Sequence, residues 1–518
     1  MGVAAALSGT GAAEAGEGSA AKLRGGAPVV RTGQGRLEGF TESGTNKFLG
    51  VPFARPPVGE LRWQAPRRPA AWSGVRKAQA FGPAAYQSAV HPSFRTDRMS
   101  EDCLYLNVWT NSLSEHARQP VVVWFHGGGY TGGSASEMFT DGTNLAKLGV
   151  TVVAPNYRLG PFGYLNDDEL GTNFAVLDNV AALQWVHDNI EAFGGDPSRV
   201  LVFGYSAGAG VVRNLLRCPQ AKGLFQRCMI QSVGGEPPVS TRVWTPERSR
   251  TASQTLLEKL GTKDRSELAR IPSRVIHETA LTGPVVRPPA GGFRTPLDLV
   301  WMPVPDDRIV MADSYPAWSR NLPVVFSSCQ NEARYFMDVN KEYTPETLSV
   351  MIDHLAGPKA EQARRIIDSA GSTELESLDR LFTTVVWWES EYASLRRFLE
   401  EGRTLYSYRF QRISQGREQN NRLALHGTDI FYLFGNLLDN EFYEGAPYDE
   451  TDRRISHEMQ HAFVEFARTG VPKRVDGARW PKFGASRSLQ TVVGDEVSFA
   501  PYDVDPLIET FYSLRQPN

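Results

Sequence analysis

The chain has 518 residues, of which 41% are hydrophobic and 10% aromatic, so it can bury a large core and lacks the bias of a fibrous or disordered protein. Its 55 basic and 58 acidic side chains leave a formal charge of −3, which supplies no basic field for nucleic acid and no polybasic membrane tether. No apolar run approaches the length needed to cross a bilayer, so no membrane span is expected.

Residues 1–28 are rich in Ala and Gly and lack aromatics, so they are expected to be a disordered tail ahead of one catalytic unit over 29–518. As a signal peptide the stretch is poor, because no basic residue precedes VAAAL and that apolar run is short. It also reads as the trimmed end of an export leader, and both readings stay open here. Cys103, Cys218, Cys228 and Cys329 sit in no C-x-x-C or Cys/His metal spacing and are too few for a disulfide scaffold. They are read as reduced thiols, which favours a cytoplasmic location, with secretion after leader removal as the alternative.

From Val29 onward, short β-branched runs alternate with amphipathic stretches. Val121–Phe125, Val150–Pro155, Arg199–Phe203 and Leu322–Ser327 are apolar runs bounded by Gly, Pro and polar residues, the pattern of strands buried on both faces. Asn173–Phe193 carries Val176, Val180, Leu183, Val186 and Ile190 at helical spacing and stops at Gly194-Gly195. Helix-rich stretches around 236–320 and 337–400 interrupt the strand rhythm and are expected as insertions forming a lid or pocket wall. Thr404–Phe410 resumes the sheet, and Asp452–Arg468 reads as a late amphipathic helix. Strands alternating with helices predict an α/β fold, a mostly parallel sheet with helices on both faces.

Two motifs carry chemistry. Gly204-Tyr205-Ser206-Ala207-Gly208 is a G-x-S-x-G that follows a buried strand and opens a helix. A strained strand-to-helix turn there lifts a nucleophilic serine above the sheet, and the small flanking residues let the chain double back. Upstream, VVVWF runs into His126-Gly127-Gly128-Gly129, whose amides have no side chains in the way. The Gly128 and Gly129 amides with that of Ala207 suit an oxyanion hole. A plain Gly turn is the alternative; a phosphate loop lacks the Lys-Ser/Thr that should follow.

These motifs, with FLGVPFARPPVGELRW, SEDCLYLNVW, VVAPNYRLGPFGYL, LDNVAALQWVHDNIEAFGGDPSRVLVFGYSAG and LALHGTDIFYLFG in that order, resemble the type-B carboxylesterases, the family that includes the cholinesterases. The likeness runs from Val30 to about Tyr512. It implies the α/β-hydrolase fold and a serine esterase acting on small-molecule esters with no metal or organic cofactor. It also implies the triad partners of Ser206: His426, in LHGTD, and Glu332, in CQNEARYF after a late strand. Asp306 and Asp307 are rival acids. Arg62 with Glu101, and Arg158 with Asp178, match ion pairs that the family uses to hold loops.

The sequence departs from the family at several points. Tyr205 stands where Glu usually precedes the serine, Asp429 replaces the Glu three residues after the histidine, and Ala85 replaces the cysteine that would pair with Cys103. Val233 replaces a glycine, and Trp387 and Trp388 fall in a region that usually carries Asp and Phe. Tyr130, Tyr205, Trp387 and Trp388 are expected at the substrate pocket, and loss of the Glu at 205 favours neutral esters. Acyl transfer or cyclisation on the same acyl-enzyme is an alternative, and a non-catalytic adhesion or scaffold role disagrees with the presence of all three triad residues.

Overall fold

The computed structural model describes residues 26–234, 246–283, 298–312, 315–438, 446–484, 488–502 and 504–515. Residues 1–25 of the expected tail lie outside them. The apolar runs form the centre of the molecule. They are β1 (Phe40–Glu42), β2 (Thr45–Pro52), β3 (Tyr105–Thr110), β4 (Gln119–Phe125), β5 (Thr151–Pro155), β6 (Gly195–Tyr205), β7 (Arg227–Gln231), β8 (Val324–Cys329), β9 (Leu405–Phe410), β10 (Leu489–Val493) and β11 (Val497–Pro501).

Across the 11-stranded sheet the order is β11-β10-β9-β8-β7-β6-β4-β5-β3-β2-β1. From β5 to β10 all neighbours are parallel, while the pairs at either edge are antiparallel. Every residue of β4, β5, β8 and β9 is buried, because helices cover both faces of a parallel sheet. Side chains alternate between the faces: Val121, Val123, Val200 and Val202 enter one apolar cluster, and Val122, Trp124, Leu201 and Phe203 the other. Between β1 and β2, Ser43 (φ 52°) and Gly44 (φ 78°) turn the chain in two residues, a conformation with positive φ at both positions that matches strand twist.

The strand order reverses between β4 and β6. After β4 the chain adds β5 on one side, then crosses over to add β6 on the other. A crevice opens at the carboxyl ends of the two strands at such a switch point. The residues of the two chemical motifs follow these two strands directly.

Helix α1 (Phe174–Asn189) and the 3-10 turn Ile190–Phe193 occupy the span read as one helix and end at Gly194 with φ +76°. Helix α2 (Ala207–Leu216) follows β6. The insertion before β8 contains helices Pro246–Leu260, Arg265–Leu268 and Ser273–Leu281. The one after β8 contains Pro345–Ala356, Ala360–Asp368, α3 (Glu374–Thr383), a π-helical turn at Thr384–Trp388 and α4 (Glu389–Glu400). Its helices share an apolar cluster with Leu507, Ile508 and Phe511 near the carboxyl terminus. Two later helices, α5 (Thr428–Phe434) and α6 (Glu450–Thr469), pack on each other and cover the other face. Among the described residues, no helix is long and apolar enough to cross a membrane.

Candidate active site

Ser206 sits between β6 and α2 with φ 55° and ψ −125°, a strained conformation for any residue with a side chain. Its amide donates to Gln231 O at 2.9 Å, which ties the turn to β7. The flanking glycines are sterically required. A Cβ on Gly204 would lie 2.5 Å from the Gly208 carbonyl carbon, and one on Gly208 would collide with Phe125 O.

The loop after β4 is folded by glycines at positive φ, +103° at Gly128 and +60° at Gly129. Thr131 N and Gly132 N both donate to Gly128 O, at 3.1 and 2.9 Å, closing the loop on itself. A Cβ on Gly127 would stand 2.7 Å from the Tyr205 ring, so the loop is pressed against the end of β6. The amides of Gly128, Gly129 and Ala207 donate to no acceptor among the described residues. Ala207 is the first residue of α2, where helix geometry leaves the amide unpaired and the dipole favours negative charge.

Glu332 follows β8 and His426 precedes α5. Glu332 Oε2 lies 2.5 Å from His426 Nδ1, and Glu332 Oε1 accepts from Cys329 N at 2.7 Å, so both oxygens are engaged and the carboxylate is wholly buried. The rival acids are occupied elsewhere: Asp306 Oδ1 accepts from the amides of Arg308, Ile309 and Val310, and Asp307 Oδ1 from Ala312 N. His426 Nε2 is buried and has no hydrogen-bond partner, and no bond joins it to Ser206 Oγ. Contacts of this kind often tighten only when substrate is bound.

Ser206, Ala207, Gly128, Gly129 and His426 line one cavity of about 360 Å3, together with Tyr130, Tyr205 and Trp387. Trp388 does not belong with them. It turns away, its Nε1 donating to Cys329 O at 3.1 Å and its ring lying 4.1 Å from the Arg409 guanidinium. Successive residues of a helical turn point in different directions, so the two tryptophans cannot share one wall. Sequence reasoning missed Leu299, Val386 and the pair Tyr335-Phe336 as lining residues. The last pair follows Glu332 in a 3-10 turn that ends at Tyr335, a proximity the acid assignment itself signalled. A second cavity, of about 620 Å3, opens on the far side of Tyr205, lined by the 87–94 loop, Glu137, Arg417, Arg422 and Gly427. Gly128, Tyr205, Tyr335 and His426 border both.

Beneath the site, Asp429 Oδ2 accepts from Tyr408 OH at 2.7 Å and from Gln231 Nε2 at 3.1 Å. Burial pushes its carboxyl up to about 6. Burial also lowers His126 to about 4; its ring stacks on Tyr157 with centroids 4.4 Å apart, so it serves as a neutral prop for the glycine loop. Tyr205 is pushed well above the usual phenol range by burial and adds no charge. The two expected ion pairs are present and buried: Arg62 holds Glu101 at 2.6 and 2.8 Å, and Arg158 holds Asp178 at 2.7 and 2.8 Å. All four cysteines are free thiols.

The sequence matches the carboxylesterase family over residues 26–498. It is 31% identical to the para-nitrobenzyl esterase of Bacillus subtilis, over 91% of this chain and 95% of that one. It is 32% identical to the fumonisin B1 esterase of Sphingopyxis macrogoltabida, over 89% of this chain and 86% of that one. A solved structure of a Geobacillus stearothermophilus carboxylesterase superposes with a TM-score of 0.79 at 31% identity, covering 94% of this chain and 100% of that chain. With a strand-to-helix serine, unpaired amides beside it and a His–Glu pair in one crevice, the chain belongs to the carboxylesterase family and is a carboxylic ester hydrolase of the type-B kind.

Proposed function

We propose that ester cleavage runs through an acyl-enzyme on Ser206, with His426 carrying the proton and Glu332 fixing the imidazole. His426 Nε2 takes the Ser206 proton as Oγ attacks the carbonyl carbon, and Glu332 stabilises the imidazolium that forms. The amides of Gly128, Gly129 and Ala207 receive the oxyanion. His426 then protonates the leaving alcohol, and water repeats the sequence on the acyl group. The observation that carries this reading is the convergence of Ser206, the three unpaired amides and His426 on one cavity, with Glu332 2.5 Å behind the imidazole.

The acyl group rests against Leu299, Phe336, Val386 and Trp387, which suits apolar acyl chains, and the preferred substrates at neutral pH are uncharged esters. Four reduced thiols suit the cytoplasm. Ser206→Ala tests the assignment: it should lower kcat by a factor on the order of 10^4 or more while p-nitrophenyl esters of graded acyl length still bind. An organophosphate should add its phosphoryl mass to Ser206 in the unmodified enzyme. Retention of a tenth of the activity by the alanine variant would remove Ser206 from this role.

A further inference from the structure

Glu137 has no part in the chemistry above, yet it lines the second cavity beside Tyr205, Gly128 and His426. It is 8% exposed, and its Oε2 is closed to bulk water with no hydrogen-bond partner. Among the described residues, no lysine, arginine or histidine forms an ion pair with it. The backbone around it is fixed from both sides. Met138 N donates to Ser93 O and Arg95 N to Ser136 O, each at 2.9 Å, so the residues flanking Glu137 are pinned to the 86–98 loop. A held, buried carboxyl with an unsatisfied oxygen is costly unless something in the cavity satisfies it.

Which half of the ester lies there follows from the proton path. His426 must reach the leaving oxygen, so the alcohol occupies space that His426 borders. The second cavity shares His426, Tyr205, Tyr335 and Gly128 with the first but has none of Gly129, Ala207 and Leu299, which line the side of the oxyanion and the acyl group. Its walls are also more polar, with Gln87, Ser88, His91, Thr131, Arg417 and Arg422.

We propose that Glu137 is a specificity-determining residue for the leaving alcohol, its carboxyl making a hydrogen bond to a polar group carried by that alcohol. This rests on the reading of Ser206 as nucleophile and His426 as proton carrier. Burial pushes the Glu137 carboxyl up to about 8, so at neutral pH it is an uncharged acid that donates to an ether, carbonyl or hydroxyl oxygen. Above that pH it becomes a carboxylate and favours a cationic alcohol instead. The groups that face it are Tyr157 after β5, Tyr205 at the end of β6, Tyr335 after β8, His91 in the 86–98 loop, and Arg417, Arg422 and His426 on the opposite wall. The three phenols are pushed up and His91 is pushed down by burial, so none of these four changes charge as pH passes about 8.

Two substrate pairs with a common butyryl group test this on the full-length enzyme. The first is 2-methoxyethyl against n-butyl butyrate, equal in size and differing by one acceptor oxygen. At pH 7 the kcat/KM ratio should favour the ether by about tenfold, the order expected for one hydrogen bond. It should fall to near one in Glu137→Leu and survive in Glu137→Gln, whose amide still donates. The second pair is choline against 3,3-dimethylbutyl butyrate, followed from pH 6.5 to 9. The ratio should rise toward the cation as pH passes about 8 in the wild type and stay flat in Glu137→Gln. An ether preference that persists in Glu137→Leu, or a pH rise that persists in Glu137→Gln, would overturn the proposal. If the leucine variant does not fold, the glutamine variant alone decides through its pH profile. Organophosphate labelling of wild-type Ser206 separates the two failures. An unlabelled serine sinks the nucleophile assignment, whereas a labelled serine with unchanged ratios sinks the role of Glu137 alone.

Discussion

The Tyr205 ring lies parallel to that of Trp124, with centroids 5.7 Å apart and planes within 5°. The same ring abuts the α-carbon positions of Gly127 and Gly427, so Tyr205 is a packed partition between the two cavities. The family's usual carboxylate is absent from this spot, and the phenol that replaces it is uncharged. At pH 7, 3,3-dimethylbutyl acetate should therefore exceed acetylcholine in kcat/KM. Tyr205→Glu should narrow or reverse that preference and lower the melting temperature by several degrees. It loses an aromatic stack of about 1 kcal/mol and buries a carboxylate within the field of Asp429. Faster turnover of acetylcholine by the wild type would refute the argument.

The contact between Glu332 and His426 makes Glu332→Gln the informative acid variant. It should lower kcat on the order of 10^4-fold, because the amide no longer holds the productive tautomer. Asp306→Asn should instead lower the melting temperature, since three backbone amides depend on its carboxylate, and leave kcat near the wild-type value. Comparable losses of kcat in both variants, with melting unchanged in the second, would reassign the acid.

Glu137 also makes folding depend on pH. Its carboxyl is raised from an ordinary 4.5 to about 8, so the folded state binds the proton more tightly than the unfolded chain does. The resulting stability is fully present below pH 4.5 and is lost as pH rises through 8. Glu137→Gln removes the titration. The melting temperature of the variant minus that of the wild type should climb by several degrees between pH 5 and 8 and level off above. A difference that stays constant over this range would show that the carboxyl titrates normally.

Redox conditions should matter little. All four thiols are buried and free, and burial pushes each of them up, which suppresses the reactive thiolate. A mild reductant should shift melting by less than about one degree, on the scale where 1 kcal/mol moves a large domain by about 2–4 °C. Iodoacetamide should label the native protein far more slowly than the unfolded one. A drop of several degrees on reduction would reveal a bridge, with Cys218 and Cys228 the pair to examine.

Both motifs around Ser206 and Gly128 were legible because their chemistry is local. A strand followed at once by small residues is written in consecutive letters, and the steric demands at Gly204 and Gly208 explain those letters. Glu332 and His426 are 94 positions apart and meet only through the ends of β8 and the approach to α5, so their pairing was readable only through the family motif. Residues such as Glu137 and Leu299 had no signal of their own. Their side chains acquire a role when loops from distant parts of the chain close over the crevice. Trp388 shows the opposite error, since the resemblance put both tryptophans in a region near the pocket, and helical geometry separates the two.

The π-helical turn at Thr384–Trp388 sits between two α-helices with separate obligations. Helix α3 is anchored through Leu378, Leu381 and Phe382 to the small cluster near the carboxyl terminus, and α4 through Leu395 and Phe398 to the main core. A π turn carries one residue more than an α path, so the mismatch in phase between the two helices is absorbed within these five residues. Val386 and Trp387, which line the first cavity, belong to that segment and are themselves buried in the cluster that anchors α3. The shape of that cavity is thus coupled to the packing that seats α3. A substitution at Val386 or Trp387 that reshapes this wall therefore also disturbs the seat of α3, so a change of cavity shape here carries a cost in stability.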